Sequence, residues 1–331
     1  MKLKHTIGLA AALAAALPAL AQQAPSTDAV RDALAKKDGD ADSSTLLKET
    51  LTAVDKQYSL IKKGQVQVNY DLNYSYIGQE KINTDLSSGS ATLFSIENNN
   101  SHTITNTLLV DYGVKNNLTA SVTLPFISRY SDTTGYSGVS HTIGDIAVGT
   151  RWQPFEAQRD QPALTVTGNV RLPSGTSPFK VDTGKGLATG SGITTITAGV
   201  NVNKIVDPVA LFGSMNFGVG LPAKHLAQNL NGTLLREVKP GATFGFGMGF
   251  AYALSYKITT SFSFQESISA GSKLTFDGGH SAKTNTQSAG VLSIGAGYRI
   301  SPKTTINVSV GIGLTAAAPN MSISVGLPLA F

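Results

Sequence analysis

From Gln65 to Tyr76 every second residue is apolar: Val66, Val68, Tyr70, Leu72, Tyr74 and Tyr76 interleave with Gln65, Gln67, Asn69, Asp71, Asn73 and Ser75. A period of two puts the two sets on opposite faces of an extended strand, one oily and one wet. The alternation returns in Ile104–Tyr112, Leu118–Phe126, Ile146–Trp152, Leu164–Leu172, Thr194–Val202, Leu211–Val219, Phe244–Tyr252, Ile258–Ile268, Leu292–Ile300, Ile306–Leu314 and Met321–Phe331, so twelve strands are predicted. After Ala21, Ser, Thr, Asn and Gly break every apolar run well before the ~20 residues that a spanning helix needs. A helical membrane protein is excluded, but a closed barrel is not.

The connections alternate in length. Long segments at Ile77–Ser101, Ser131–Gly144, Pro173–Gly192, Leu221–Gly241 and Ser269–Gln287 follow odd-numbered strands, and short ones such as Val114–Asn117, Lys204–Pro208 and Ser301–Lys303 follow even-numbered strands. Short turns on one rim and long loops on the other describe an outer-membrane barrel. An even strand count brings both ends of the sheet to the periplasmic side, where they close without a free edge. Five downward strands end on an outward-phase aromatic, Tyr112, Trp152, Tyr252, Tyr298 and Phe331, which predicts a girdle at the lower lipid boundary. The wet faces carry mainly Thr, Ser, Asn, Gln and Gly rather than the charges expected on a soluble sandwich. Gly245, Gly247, Gly249 and Ala251 alternate with Phe244, Phe246, Met248 and Phe250, leaving room inside.

Residues 1–21 read as an export signal: basic Lys2 and Lys4, an apolar stretch from Thr6 to Leu20, and small residues Ala19 and Ala21 before Gln22. Removing Lys2 and Lys4 lowers the formal charge from +5 to +3, too weak and dispersed for nucleic acid. Without cysteine there is no disulfide scaffold, thiolate metal site, thiol nucleophile or lipidated N-terminal cysteine. No cofactor is called for.

Before the barrel the period changes. Residues 22–42 form a flexible or weakly helical periplasmic segment, and in 43–64 the apolar residues Leu47, Leu51, Val54, Tyr58 and Ile61 are spaced 4, 3, 4 and 3, an amphipathic helix. Asp42, Ser43 and Ser44 supply caps, and Lys62-Lys63-Gly64 supplies cations and a stop. Roughly 18 residues at 1.5 Å each give about 27 Å, close to the hydrocarbon thickness. With Gly64 as hinge, this helix is expected to plug the lumen of a 12-stranded antiparallel transmembrane β-barrel spanning 65–331. A periplasmic helix packed on the rim, or a short coiled coil with Thr27–Lys37, remains the alternative.

Signatures of chemistry are weak. The glycines of Gly245-Phe-Gly247-Met-Gly249 occupy alternate strand positions with no helix following, and Asp182-Thr-Gly184-Lys185-Gly186 lacks the first glycine and the hydroxyl of a phosphate loop. His102, His141, His225 and His280 fall at strand ends or in loops without metal-ligand spacing. Outward His102 and Asn106 invite comparison with a lipid-facing serine hydrolase, but no outward Ser completes the arrangement. No catalytic or metal residue is assigned. The inward charges Asp71, Asp111, Asp145, Arg151, Arg171 and Arg299 either line the lumen and hold the plug or pair and brace the wall.

The stretch Leu51–Lys63 running into Gln65–Ile82, then Tyr112–Phe126 and Gly144-Asp-Ile-Ala-Val-Gly149, resembles the outer-membrane transporters of the phenol meta-pathway degradation superfamily, and among them the Fap-type functional-amyloid secretion channel. The resemblance implies a plugged barrel in the bacterial outer membrane that exports unfolded amyloid subunits. It also implies those subunits and membrane lipids as partners, and a homotrimer, although only Gln22–Asp42 stands where the amyloid channels carry a coiled coil. The alternative cargo is small apolar or aromatic compounds moving inward.

Overall fold

A computed structural model describes residues 60–84, 94–133, 136–155, 161–181, 187–206, 208–230, 233–301 and 304–329. The expected signal, the 22–42 segment, helix residues Leu47, Leu51, Val54 and Tyr58, and Phe331 lie outside them.

The chain forms β1 (Val66–Thr84), β2 (Phe94–Lys115), β3 (Leu118–Thr133), β4 (Tyr136–Ile143), β5 (Ala147–Trp152), β6 (Ala163–Arg171), β7 (Thr195–Val206), β8 (Val209–Gly220), β9 (Gln228–Leu230), β10 (Thr233–Lys239), β11 (Thr243–Ala253), β12 (Ile258–Ser269), β13 (Lys273–Phe276), β14 (Ser281–Lys283), β15 (Gln287–Ser301), β16 (Thr304–Gly313) and β17 (Met321–Leu329). A short 3₁₀ turn, Asp277–Gly279, lies between β13 and β14. Thirteen of the strands belong to one antiparallel sheet, and it closes where β1 pairs β17, from Val68 opposite Leu329 to Tyr76 opposite Met321. Both β4 and β5 pair with β3. They are two halves of one wall strand, interrupted at 144–146, so thirteen segments fill twelve wall positions, and each predicted strand has its counterpart.

Burial is inverted relative to a soluble protein. Besides Leu235, Val238 and Ala318, the buried apolar residues are the alanines Ala147, Ala210, Ala251 and Ala253, whereas Phe126, Met215, Phe217, Phe250 and Ile294 are exposed on the outside. An apolar belt of this extent needs lipid around it. Replacing Met248, 57% exposed midway along β11, by Arg is therefore expected to destabilise the barrel in vesicles by about 2–4 kcal/mol, read from the urea midpoint, with Met248→Leu nearly neutral.

Tyr112, Trp152 and Tyr298 are outward and about half exposed, and Tyr252 is partly covered. Ten residues up β2 from Tyr112, His102 lies directly between Tyr76 of β1 and Tyr130 of β3, with ring centroids 4.9 and 5.9 Å away. At ~3.3 Å per residue and a tilt near 40°, ten residues rise about 25 Å, the height of the apolar band. An outward aromatic cluster at this height is thus built around a histidine. Tyr74 Oη lies 2.9 Å from His102 Nδ1, and Tyr70 donates to Asn106 Oδ1 at 2.6 Å, so His102 and Asn106 belong to a tyrosine network.

Two expectations are corrected. The final turn of the predicted helix is absent: Leu60–Lys62 are irregular and Lys63–Gly64 form a turn with Gly64 at φ +79°. Much of the predicted loop sequence is strand, since β1 and β2 extend to Thr84 and from Phe94, and β9, β10, β13 and β14 form a second sheet above the barrel. Above the membrane neither strand face has to be oily, so the ladder continues where the alternation stops.

Candidate functional site: the lumen and its two ends

Inside the wall lies a cavity of about 610 Å³. Its inward lining is mostly neutral and small, including Thr107, Thr123, Asn203, Ser261, Ser293 and Asn307, with Asp71 as the one predicted charge on it. The apolar part of the lining was not evident from composition: Leu109 of β2 borders the same cavity as Ile205 of β7 and Phe212 of β8. Alternation does place Phe212 inward, because Leu211, Met215 and Phe217 are on the outside. Gly249 makes room for it, since a Cβ there would sit 2.5 Å from the Phe212 ring. The small residues of β11 thus seat a lumen aromatic and do more than widen the pore.

At the periplasmic end Asp111 and Arg151 form an ion pair of 2.8 Å with side chains 3% and 11% exposed. They stand on β2 and β5 with β3 between them, and the small residues Thr119 and Ser121, opposite Arg151 and Asp111 respectively, let the guanidinium reach across. Beside this pair the chain turns inward. Lys63 N–H donates to Asn116 Oδ1 at 3.2 Å, Ile61 N–H donates to the fully buried Thr119 Oγ1 at 3.3 Å, and Gly64 N–H donates to Gly113 O at 2.7 Å. A Cβ on Gly113 would lie 2.1 Å from Lys62 O, so Gly113 is the floor on which this segment lies.

At the extracellular end Asp145 is spoken for by a loop. Its carboxylate accepts from Gly175 N–H at 3.1 Å, Ser191 N–H at 2.7 Å and Ser191 Oγ–H at 2.6 Å. Arg129 adds a bond to Ala188 O at 3.3 Å, and Thr142 and Thr189 are joined at 2.5 Å. Both described limbs of the β6–β7 connection are therefore tied to the inner wall. Arg171 is exposed at the top of β6, opposite Ala147, and Arg299 is near the lower rim opposite Thr305, where its Nε donates to Ser301 O at 3.4 Å. The predicted charges thus fall into separate places, and only Asp111 and Arg151 meet. Farther out, the hydrogen bond from Arg236, 3.1 Å away, holds the exposed Asp277 carboxyl below its ordinary range. Among the described residues no cluster of three His, Asp or Glu is placed to hold a metal ion.

A family model described as "Putative MetA-pathway of phenol degradation" matches residues 91–331. The COG4313 outer membrane channel from Pseudomonas putida F1 superposes with a TM-score of 0.63 at 12% identity, covering 83% of this chain and 98% of that one. The transport unit of the autotransporter AIDA-I from Escherichia coli (TM-score 0.49, 12% identity, 87% and 98% covered) and the translocator domain of NalP from Neisseria meningitidis (0.48, 12%, 87% and 96%) are also similar. The fold likeness that counts is the first. The closed barrel with its outward apolar belt, together with the family match, places the chain in the bacterial outer membrane.

Proposed function

The chain belongs to this phenol-degradation family, and from that premise we propose that it is a passive outer-membrane channel for small, weakly polar aromatic compounds. The observation that carries the reading is the cavity. About 610 Å³ is the scale of a small-molecule site, and Phe212, Leu109 and Ile205 give an aromatic ring apolar contact while hydroxyl and amide groups accept its polar substituent. The family's description, which concerns phenol breakdown, points the same way. Export of unfolded amyloid subunits, the other reading, requires a through-going passage for an extended chain.

Phe212 provides the test. In proteoliposomes, phenol is expected to permeate faster than a sugar of similar size, and Phe212→Ser is expected to lower the ratio of the two rates by about two- to tenfold, the worth of one aromatic contact. Equal rates for phenol and sugar in the wild type, or passage of a labelled unfolded polypeptide, would overturn the uptake reading.

A further inference from the structure

The second sheet, of order β14-β13-β10-β9, stands directly above the barrel rim. Within the barrel Thr243, Ser269 and Gln287 are opposite one another on β11, β12 and β15. Four residues from each of these in the direction away from the barrel, Lys239 of β10 opposes Lys273 of β13, which opposes Lys283 of β14. Directly opposed residues project to the same face, with Cβ atoms ~5 Å apart. Three ammonium groups therefore share one row, an arrangement that repels itself.

Among the described residues no ion pair relieves the repulsion. The ion pairs among the described residues are Arg151 with Asp111 and Arg236 with Asp277, and none includes these lysines. On the paired residues of β10, β13 and β14 the acid sharing their face is Glu237, opposite Thr275, two residues from Lys239. One carboxylate leaves the row with an excess of two positive charges. Nor can the row turn over, because the opposite face carries Leu235 and Val238, 1% and 4% exposed, together with Leu274. The three lysines, with Pro240, Gly271 and Ser281, border a cavity of about 460 Å³.

A row of like charges fixed beside a cavity at the membrane surface is what an oligo-anion would neutralise. We infer that Lys239, Lys273 and Lys283 form a binding site for a phosphate group, carried either by a phosphorylated lipid of the outer leaflet or by a solute arriving at the mouth. Three point-charge donors suit a phosphate, with three or more acceptor oxygens, better than a single carboxylate. The inference is independent of the cargo reading.

The experiment titrates inorganic pyrophosphate into the full mature protein in non-ionic detergent, followed by calorimetry. Saturable binding is expected, weakened at least tenfold in K239Q/K273Q/K283Q and retained in the triple arginine variant. Each variant must keep the heat-modifiable gel migration of a folded barrel. Should the triple variant not fold, Lys273→Gln alone removes the central charge and is expected to weaken binding more than Lys239→Gln or Lys283→Gln. Competition of the pyrophosphate signal by purified lipopolysaccharide supports the site with a lipid as its source, and pyrophosphate binding unaffected by lipopolysaccharide supports it with a free solute. Absence of saturable binding in the wild type, or equal affinity in the glutamine variants, would overturn it.

Discussion

Asp111→Asn is expected to lower the stability of the folded barrel by about 1.5–3 kcal/mol, because the Arg151 guanidinium loses its 2.8 Å charge-assisted bond to a carboxylate in a site that water barely reaches. Asp111 is 2% exposed, and Arg151 meets it across an intervening strand, so neither side chain can swing out to solvent without leaving β2 or β5. The urea midpoint in vesicles gives the shift. Asp111→Leu with Arg151→Met, which removes both charges and keeps the volume, is expected to recover part of that loss. That contrast separates a bracing ion pair from a merely bulky contact. A loss under about 1 kcal/mol for Asp111→Asn would mean that the pair is solvated in the membrane and braces little.

The barrel was legible because lipid makes a simple demand. Every spanning residue must alternate, so Val66 to Tyr76 or Phe244 to Ala251 can be read from period alone, and the aromatics Tyr112, Trp152 and Tyr298 can be assigned to the outer face. Where that demand ends, legibility ends with it. Glu97-Asn-Asn-Asn100 has no alternation, yet it continues β2 opposite β1, because backbone pairing there satisfies hydrogen bonds without regard to face. The site was legible by phase and illegible by partner. Asp111, Asp145 and Arg151 could all be assigned inward, but that Asp111 meets Arg151 while Asp145 holds Gly175 and Ser191 depends on register across three strands and on a loop that doubles back. Ile61 shows the opposite failure. Its spacing fits a helical stripe, but bonds to Thr119 and Asn116, more than fifty residues away, set the backbone of Ile61–Lys63. The lysine row escaped for the same reason as the ion pair, since Lys239, Lys273 and Lys283 are neighbours only through pairing.

Gly113→Val is expected to raise the single-channel conductance several-fold in planar bilayers. Valine is favoured in β structure, and Gly113 has no positive φ that would penalise a side chain. The wall therefore tolerates the change. What it does not tolerate is Lys62 above it, because the new Cβ would fall 2.1 Å from Lys62 O and 3.0 Å from Ile61 O, both backbone atoms that cannot rotate away. The inward turn at Lys63–Gly64 must lift off, and its bonds to Asn116 and Thr119 go with it. If the residues preceding Leu60 plug the lumen, as we propose from their helical stripe and from the inward course of Leu60–Gly64, the lifted segment opens the pore. Deletion of 22–63 then gives the ceiling for the current, Gly113→Val approaches it, and Thr119→Val, which removes one acceptor at nearly constant volume, lies between wild type and Gly113→Val. Conductance unchanged by both the deletion and Gly113→Val would put the N-terminal segment on the periplasmic side of the rim and leave Gly113 as a packing residue alone.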